Sequence, residues 1–296
     1  MCDIIPVSDA KRDMGEMLLQ LSREGKKAKV SSLLEAKVNP MFRGKAGQTA
    51  LHEAASHNHY YIVEELLQLQ PELRDVKDKS GQTAIHCAAS RGNVDVLEAL
   101  LGQKKSLVAG ASMEVLTAKT SKYGWTALHY AANGGHTLCA AALVQGAPCE
   151  LIVATTNTGR TALHIAAHAG HTAVMEVLLG TRFAQELIEA KSSDGHSALH
   201  LAARFGHSHS AHVLGKAAPE LLKATNLSGH VPLHESARRG YEECVDTLVQ
   251  LGAHDHLTDK TVKYARFRGH GEIADALGKT LTMKTVKVVK LSLNAH

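Results

Sequence analysis

The sequence has little of what a disulfide-bonded, zinc-binding or membrane-spanning protein requires. Its five cysteines are odd in number and widely scattered, and no CxxC pair occurs, so neither a disulfide framework nor a zinc finger is predicted. No stretch reaches the ~18 consecutive apolar residues of a membrane span. The N-terminus has no basic region followed by an apolar run, so no secretory signal is predicted. These absences favour a reducing compartment, either the cytoplasm or the nucleus.

Aromatic residues and net charge are also low. The chain has one tryptophan, and its net charge of +4 is a mild excess that says little until the charges are placed on a surface. Hydrophobic residues, by contrast, make up 44% of the 296 residues, which is enough for a sizeable core.

One nine-residue block recurs along the chain, and its clearest copy is GRTALHIAA at residues 159–167. The copies begin at Gly47, Gly81, Gly124, Gly159, Gly195 and, more loosely, Gly229. Successive glycines are therefore separated by 34, 43, 35, 36 and 34 residues. Self-similarity at a nearly fixed period of this size is typical of a repeat array.

The block resembles the ankyrin repeat, whose fingerprint is G-x-T-P/A-L-H-x-A-A followed by G-H. The resemblance implies an all-α solenoid of stacked helix–turn–helix units with β-turn or hairpin loops. We assign an N-terminal tail to residues 1–10, the solenoid to 11–279 and a lysine-rich C-terminal tail to 280–296. Within the solenoid we expect an N-terminal cap at 11–45, repeats starting near 46, 80, 123, 158, 194 and 228, and a C-terminal cap at 258–279.

Each repeat follows from local physical chemistry. The first glycine allows a tight turn with positive φ, and the threonine two residues later can cap the first helix. A second glycine is expected to end that helix in a left-handed conformation, with Asn58 in its place in the first repeat. These second glycines are Gly92, Gly135, Gly170, Gly206 and Gly240.

Two segments depart from the repeat. About nine extra residues fall within 102–112, where the composition predicts an exposed loop. The tail at 280–296 has several lysines and no acidic residue. We expect it to be disordered, with a strand-forming peptide that pairs with a partner as the alternative.

The histidines invite a catalytic or metal-binding interpretation, which their positions do not support. Six recur at one place of the repeat, where we expect them to brace adjoining turns by hydrogen bonds: His52, His86, His129, His164, His200 and His234. The HExxH motif fails at both His-Glu pairs, because Ser56 and Arg238 stand where the second histidine is needed. His209 and His212 would share a helical face without a third ligand.

Other catalytic motifs are missing as well. The segment Gly278-Lys279-Thr280 lacks the earlier glycine of a phosphate-binding loop, and no G-x-S-x-G elbow occurs. Cys139 and Cys244 occupy equivalent inward positions, which predicts buried thiols. The sequence therefore predicts no catalytic residue, no metal site and no cofactor.

The resemblance places partner-binding residues in the turns beside the first glycine and in the two residues after the Ala-Ala pair, where they would line a concave groove. The predicted binding residues are Tyr123, Trp125, Arg160, His196, Arg204, Phe205, His230, Arg238 and Arg239. Asp194 is almost the only acid among these positions, whereas many acids lie on second helices. We therefore expect a basic groove that favours an acidic partner.

The lone tryptophan, Trp125, has two interpretations: an exposed binding residue, or a ring that packs on the neighbouring turn. For the whole chain we predict a monomeric, non-catalytic interaction module that holds an acidic or phosphorylated protein segment through arginine contacts. The alternatives are a nucleic-acid-associated protein, or a substrate adaptor, that uses the same basic surface and the lysine-rich tail. No membrane partner is expected.

Overall fold

The computed structural model describes residues 7–102, 112–145, 147–253 and 259–293, and within them all regular secondary structure is helical. The chain divides into two compact units, Met1–Asn157 and Thr158–His296. The predicted loop insertion lies mostly at residues 103–111, outside the described residues.

Unit 1 consists of ten α-helices and one 3-10 helix within the described residues. They are α1 (Val7–Glu24), α2 (Lys27–Glu35), α3 (Ala50–Ser56), α4 (Tyr60–Leu69), a 3-10 helix (Pro71–Asp75), α5 (Ala84–Arg91), α6 (Val94–Leu101), α7 (Met113–Leu116), α8 (Ala127–Gly134), α9 (Thr137–Val144) and α10 (Cys149–Ile152).

Unit 2 consists of nine α-helices and one 3-10 helix within the described residues. Its described helices are α11 (Ala162–Ala169), α12 (Thr172–Leu179), α13 (Ala184–Glu189), α14 (Ala198–Phe205), α15 (Ser208–Ala217), a 3-10 helix (Pro219–Leu222), α16 (Pro232–Arg239), α17 (Glu242–Gln250), α18 (Asp259–Phe267) and α19 (Gly271–Leu293).

The helices of each unit pack in two rows. In unit 1, α1, α3, α5 and α8 follow one another in one row, and α2, α4, α6 and α9 in the second. In unit 2 the corresponding rows are α11, α14, α16 and α18, and α12, α15 and α17. The paired alanines of the repeat, such as Ala202 and Ala203, are fully buried, and their small size lets neighbouring helices approach closely.

The turns have the predicted backbone. Gly206 ends α14 with φ +76°, and a Cβ there would lie 2.6 Å from the Tyr241 ring, so both conformation and space require glycine. Asn58 takes the same role with φ 61°, as predicted. Neighbouring turns are also joined by backbone hydrogen bonds, for example from Ser193 N–H to Thr158 O at 3.0 Å.

Both chain ends differ from the sequence assignment. Helix α1 starts at Val7, inside the segment assigned as an N-terminal tail, and Gly25 (φ +72°) separates it from α2. At the other end α19 continues without a break through residue 280 to Leu293, so residues 280–293 are helical. Disorder or a strand was therefore the wrong expectation for them, while residues 294–296 lie outside the described part.

Four of the six recurring histidines brace adjoining turns, as predicted: His52, His86, His164 and His200. In His164, Nδ1 accepts from the Thr161 backbone N–H at 3.3 Å, and Nε2 lies 3.0 Å from the carbonyl oxygen of His196 in the next repeat. A backbone N–H only donates and a carbonyl only accepts, so the ring is the neutral tautomer with its proton on Nε2. His86 and His200 make the same two bonds.

Burial is the largest influence on these rings and lowers the pKa of His86, His164 and His200 to about 4. Proton uptake would replace the Nδ1 acceptor with a donor facing a backbone N–H. The folded chain thus excludes protons that the unfolded chain binds.

This difference predicts a loss of stability in mild acid. The contribution of each ring is complete above the ordinary pKa of 6.5 and falls as pH decreases towards 4, with a slope of about 1.4 kcal/mol per pH unit per ring. His164→Gln keeps a donor and an acceptor but cannot titrate. The free energy of unfolding of this variant should therefore depend on pH less steeply than that of the wild type, by about 1.4 kcal/mol per pH unit. Urea unfolding at several pH values between 4.5 and 7 measures this slope.

The matched control is His209→Gln, because it makes the same replacement at an exposed histidine on α15. Equal slopes for wild type and His164→Gln would contradict the assignment of a neutral buried ring.

Candidate partner-binding surface

In unit 1 the predicted binding residues form an aromatic cluster at the turn before α8. Trp125 lies with its ring centre 5.0 Å from that of Tyr130 on α8 and 5.8 Å from that of Tyr123. The turn is held by hydrogen bonds between Thr120 and Trp125, including Trp125 N–H to Thr120 Oγ1 at 3.1 Å. Sequence reasoning missed Tyr130, which occupies the variable position between the signature histidine and the Ala-Ala pair.

The exposed member of this cluster is Tyr123, not Trp125. Tyr123 is 51% exposed, and the ammonium of Lys122 lies 4.8 Å from its ring centre. Trp125 is only partly exposed because Tyr130 and Tyr123 cover it. The structure thus favours the packing interpretation of the tryptophan and leaves Tyr123 as the accessible aromatic side chain.

In unit 2 four arginines line one open cleft of about 430 Å³: Arg204, Arg238, Arg239 and Arg268. Arg204 lies in the last turn of α14, Arg238 and Arg239 in the last turn of α16, and Arg268 directly after α18. These three helices pack in sequence, so their C-terminal ends are neighbours. We call this the arginine cleft.

Arg268 was not among the predicted binding residues, because its repeat lacks the Leu-His signature that locates the others. The sequence nevertheless contained a feature that could have identified Arg268. Arg268 precedes Gly269 (φ +85°) as Arg239 precedes Gly240 (φ +81°), so both residues stand directly before a left-handed turn.

A buried acid beneath the arginine cleft corrects the expectation of a nearly all-basic surface. The side chain of Glu235 is 2% exposed, and its Oε2 lies 3.0 Å from Arg238 Nη2. Its other oxygen, Oε1, lies 3.4 Å from both His230 Nδ1 and Asn226 Nδ2. This surface therefore has Glu235 as an acid in addition to Asp194. The glutamate directly follows the signature residue His234, a position that sequence reasoning left out.

Glu235 is ionised in the folded protein. Burial, the largest single influence, raises its pKa, but the charges of Arg238 and Arg204 and the hydrogen bond from His230 together lower the pKa below its ordinary value. A buried carboxylate with these partners fixes the direction of the arginine side chain that it holds.

His196 is neutral and belongs to the same network. Its Nε2 accepts from Asn226 Nδ2 at 3.1 Å and from Arg204 Nη1 at 3.4 Å. Burial, as the largest cause, lowers its pKa, and the charge of Arg204 acts in the same direction. Arg204 and Arg238 are thus both held from below, by His196 and Glu235 respectively.

The remaining predicted residues of unit 2 lie close to this network. Phe205 packs on His168 with ring centres 4.1 Å apart, and Arg160 is half-buried in the turn before α11. The structure thus joins His196, His230, Arg204 and Arg238 around Glu235 and places Arg239 at the same cleft. Tyr123 and Trp125 belong to unit 1 and form their own cluster.

Within the described residues no group of three or more histidines, cysteines or acids could hold a metal ion. Cys139 and Cys244 are buried, as expected, and burial raises the pKa of their thiols to about 11 and about 12. Among the helices described, none is both long and apolar enough to cross a membrane.

Comparison with known families agrees with the repeat pattern. A family model described as ankyrin repeats, in three copies, matches residues 18–109, 104–186 and 180–259. No curated protein matches the chain.

The network around Glu235 predicts a clear stability effect. Glu235→Gln removes the only carboxylate that Arg238 contacts among the described residues, so we expect a loss of about 2–3 kcal/mol in the free energy of unfolding. Combining it with Arg238→Met should recover at least about 1 kcal/mol of that loss, because the two residues are directly coupled. Denaturant unfolding of the four members of this cycle measures both values.

Glu176→Gln on α12 is the matched control, since Glu176 is exposed and its loss should be nearly neutral. Additive effects of Glu235→Gln and Arg238→Met would show that the pair does not stabilise the fold.

Proposed function

The chain belongs to the ankyrin-repeat family, and from this premise we propose that it is a non-catalytic module that binds an acidic or phosphorylated protein segment. Ankyrin repeats are generally protein–protein interaction modules. The observation that carries the finer proposal is the arginine cleft. Its four guanidinium groups lie above one ionised carboxylate, which leaves a formal charge of +3 at one place on unit 2.

The cleft suits binding without large rearrangement. Arg204 and Arg238 are each held by a hydrogen bond to a buried or nearly buried side chain, and α14 and α16 end in fixed left-handed glycine turns. Because these side chains are already positioned, a ligand gives up less of its interaction energy to order them. A strong local positive potential also speeds encounter with an acidic segment.

A protein segment fits this arrangement better than a nucleic acid does. Binding to a nucleic acid chiefly requires many cations spread along a phosphate backbone, whereas the arginines here converge on one cleft. In unit 1 the exposed ring of Tyr123 offers a separate contact of the type that is common at protein interfaces.

The cysteines indicate the cellular compartment. Cys87, Cys139, Cys149 and Cys244 are free thiols, which fits a reducing compartment. We therefore place the protein in the cytoplasm or nucleus, where it would serve as a monomeric scaffold or adaptor.

A pull-down from cell lysate tests the proposal. The wild type should retain a protein that Arg204→Ala/Arg238→Ala/Arg239→Ala loses, because the cleft charge is removed, and Trp125→Ala should have a smaller effect. Retention should survive nuclease treatment and weaken at the higher of two salt concentrations.

The matched control is Lys216→Ala/Lys223→Ala/Lys263→Ala, which removes three exposed charges of unit 2 outside the cleft. Circular dichroism shows whether both triple variants are folded. Equal losses in the two variants, or retention that disappears with nuclease, would contradict the proposal and favour non-specific or nucleic-acid binding.

A further inference from the structure

The arginine cleft carries more positive charge than the fold requires. Arg204, Arg239 and Arg268 form no salt bridge with any acid among the described residues, and Arg239 and Arg268 are exposed. Like charges that converge repel one another, so such a cluster gains stability only when an anion joins it.

A purely structural role explains the arginines less well. A cation in the last turn of a helix interacts favourably with the helix dipole wherever its side chain points. Such a role accounts for an arginine at the end of α14 or α16, but it does not require four head groups to meet. In unit 1 the corresponding pairs are Ser56-His57, Ser90-Arg91 and Asn133-Gly134. Only one of the three contains an arginine, so the fold does not need arginine at these positions.

We propose that the arginine cleft binds one phosphoryl dianion, carried by a phosphoserine or phosphothreonine of the protein segment. This inference rests on the proposed function and deepens it. A phosphoryl group carries a charge of about −1.5 to −2 and three acceptor oxygens, which match a surplus of three positive charges better than a single carboxylate does. The cleft of about 430 Å³ has room for the phosphorylated side chain and the backbone beside it.

The four arginines divide into two pairs. Arg238 uses Nη2 for Glu235, and Arg204 uses Nη1 for His196, so both are anchored at the base of the cleft. A guanidinium has five N–H donors, which leaves several on each anchored arginine for phosphoryl oxygens. Among the described residues Arg239 and Arg268 have no such anchor, so their exposed side chains can approach the ligand from the rim. Glu235 is a positioning residue in this arrangement.

The test uses the full chain and three pools of fluorescent, otherwise randomised nonapeptides that differ only at the central residue: phosphoserine, glutamate or serine. By fluorescence polarisation the wild type should bind the phosphoserine pool about tenfold more tightly than the glutamate pool, and the serine pool least tightly. Arg239→Ala/Arg268→Ala should remove the preference for phosphoserine. Its melting temperature should change little, because relief of the repulsion among the arginines offsets the lost interaction of Arg239 with the dipole of α16.

Arg266→Ala is the matched control, because Arg266 lies two residues before Arg268, is exposed and pairs instead with Asp275 at 2.9 Å. It should keep the preference for phosphoserine. Loss of the preference in Arg266→Ala to the same extent would overturn the assignment to the cleft.

The other outcomes separate this inference from the proposed function. Equal binding of the phosphoserine and glutamate pools, both above serine, would overturn the phosphoryl site and leave the acidic segment. No difference among the three pools would overturn both. Tighter binding of a single-stranded RNA oligonucleotide than of the phosphoserine pool, with the same dependence on Arg268, would replace the protein segment by a nucleic acid.

Discussion

The pair of hydrogen bonds made by signature histidines such as His86, His164 and His200 is the constraint on which the repeats depend. One ring nitrogen holds the start of its own helix, and the other reaches a carbonyl of the next repeat, as His164 does between Thr161 and His196. The ring satisfies both partners only when it is neutral, and burial keeps it so. Relative placement of neighbouring helices within a unit is thus fixed by a group that titrates near pH 4 when folded.

These bonds and the alanine pairs fix the positions of the helices. The side chains at the C-terminal ends of the helices are therefore not needed for packing and can contact a partner. Each signature helix stops at a left-handed residue, so the two side chains before the stop occupy a similar place in each repeat. In unit 2 these places hold Arg204, Arg238 and Arg239, and the last helix pair adds Arg268. The repeated backbone therefore places arginines that are about 30 residues apart in the chain beside one another in space.

Glu235 connects the fold to the cleft. It occupies the helix position after a signature histidine, and it is buried as the residues of the other copies partly or wholly are: Glu53, Cys87, Tyr130, Ile165 and Leu201. An acid at a buried position is tolerated because Arg238, His230 and Asn226 surround it. The same contacts orient Arg238, so one buried carboxylate takes part both in the packing of this unit and in the geometry of its candidate site.

The sequence by itself determined the repeat period, the turns at positions such as Gly206 and Asn58, and the bracing role of the histidines. These features depend on backbone preferences and on hydrogen-bond partners that lie within one repeat or at a fixed position of the next. Only the tertiary structure decided that Glu235 lies under the arginines, that Arg268 joins them, and that Tyr130 covers Trp125, because each contact joins side chains whose approach is set by helix packing. Residues 280–293 are helical although their three valines favour a strand, because extending an existing helix from Gly271 costs less than starting a new element; this required knowing where α19 begins.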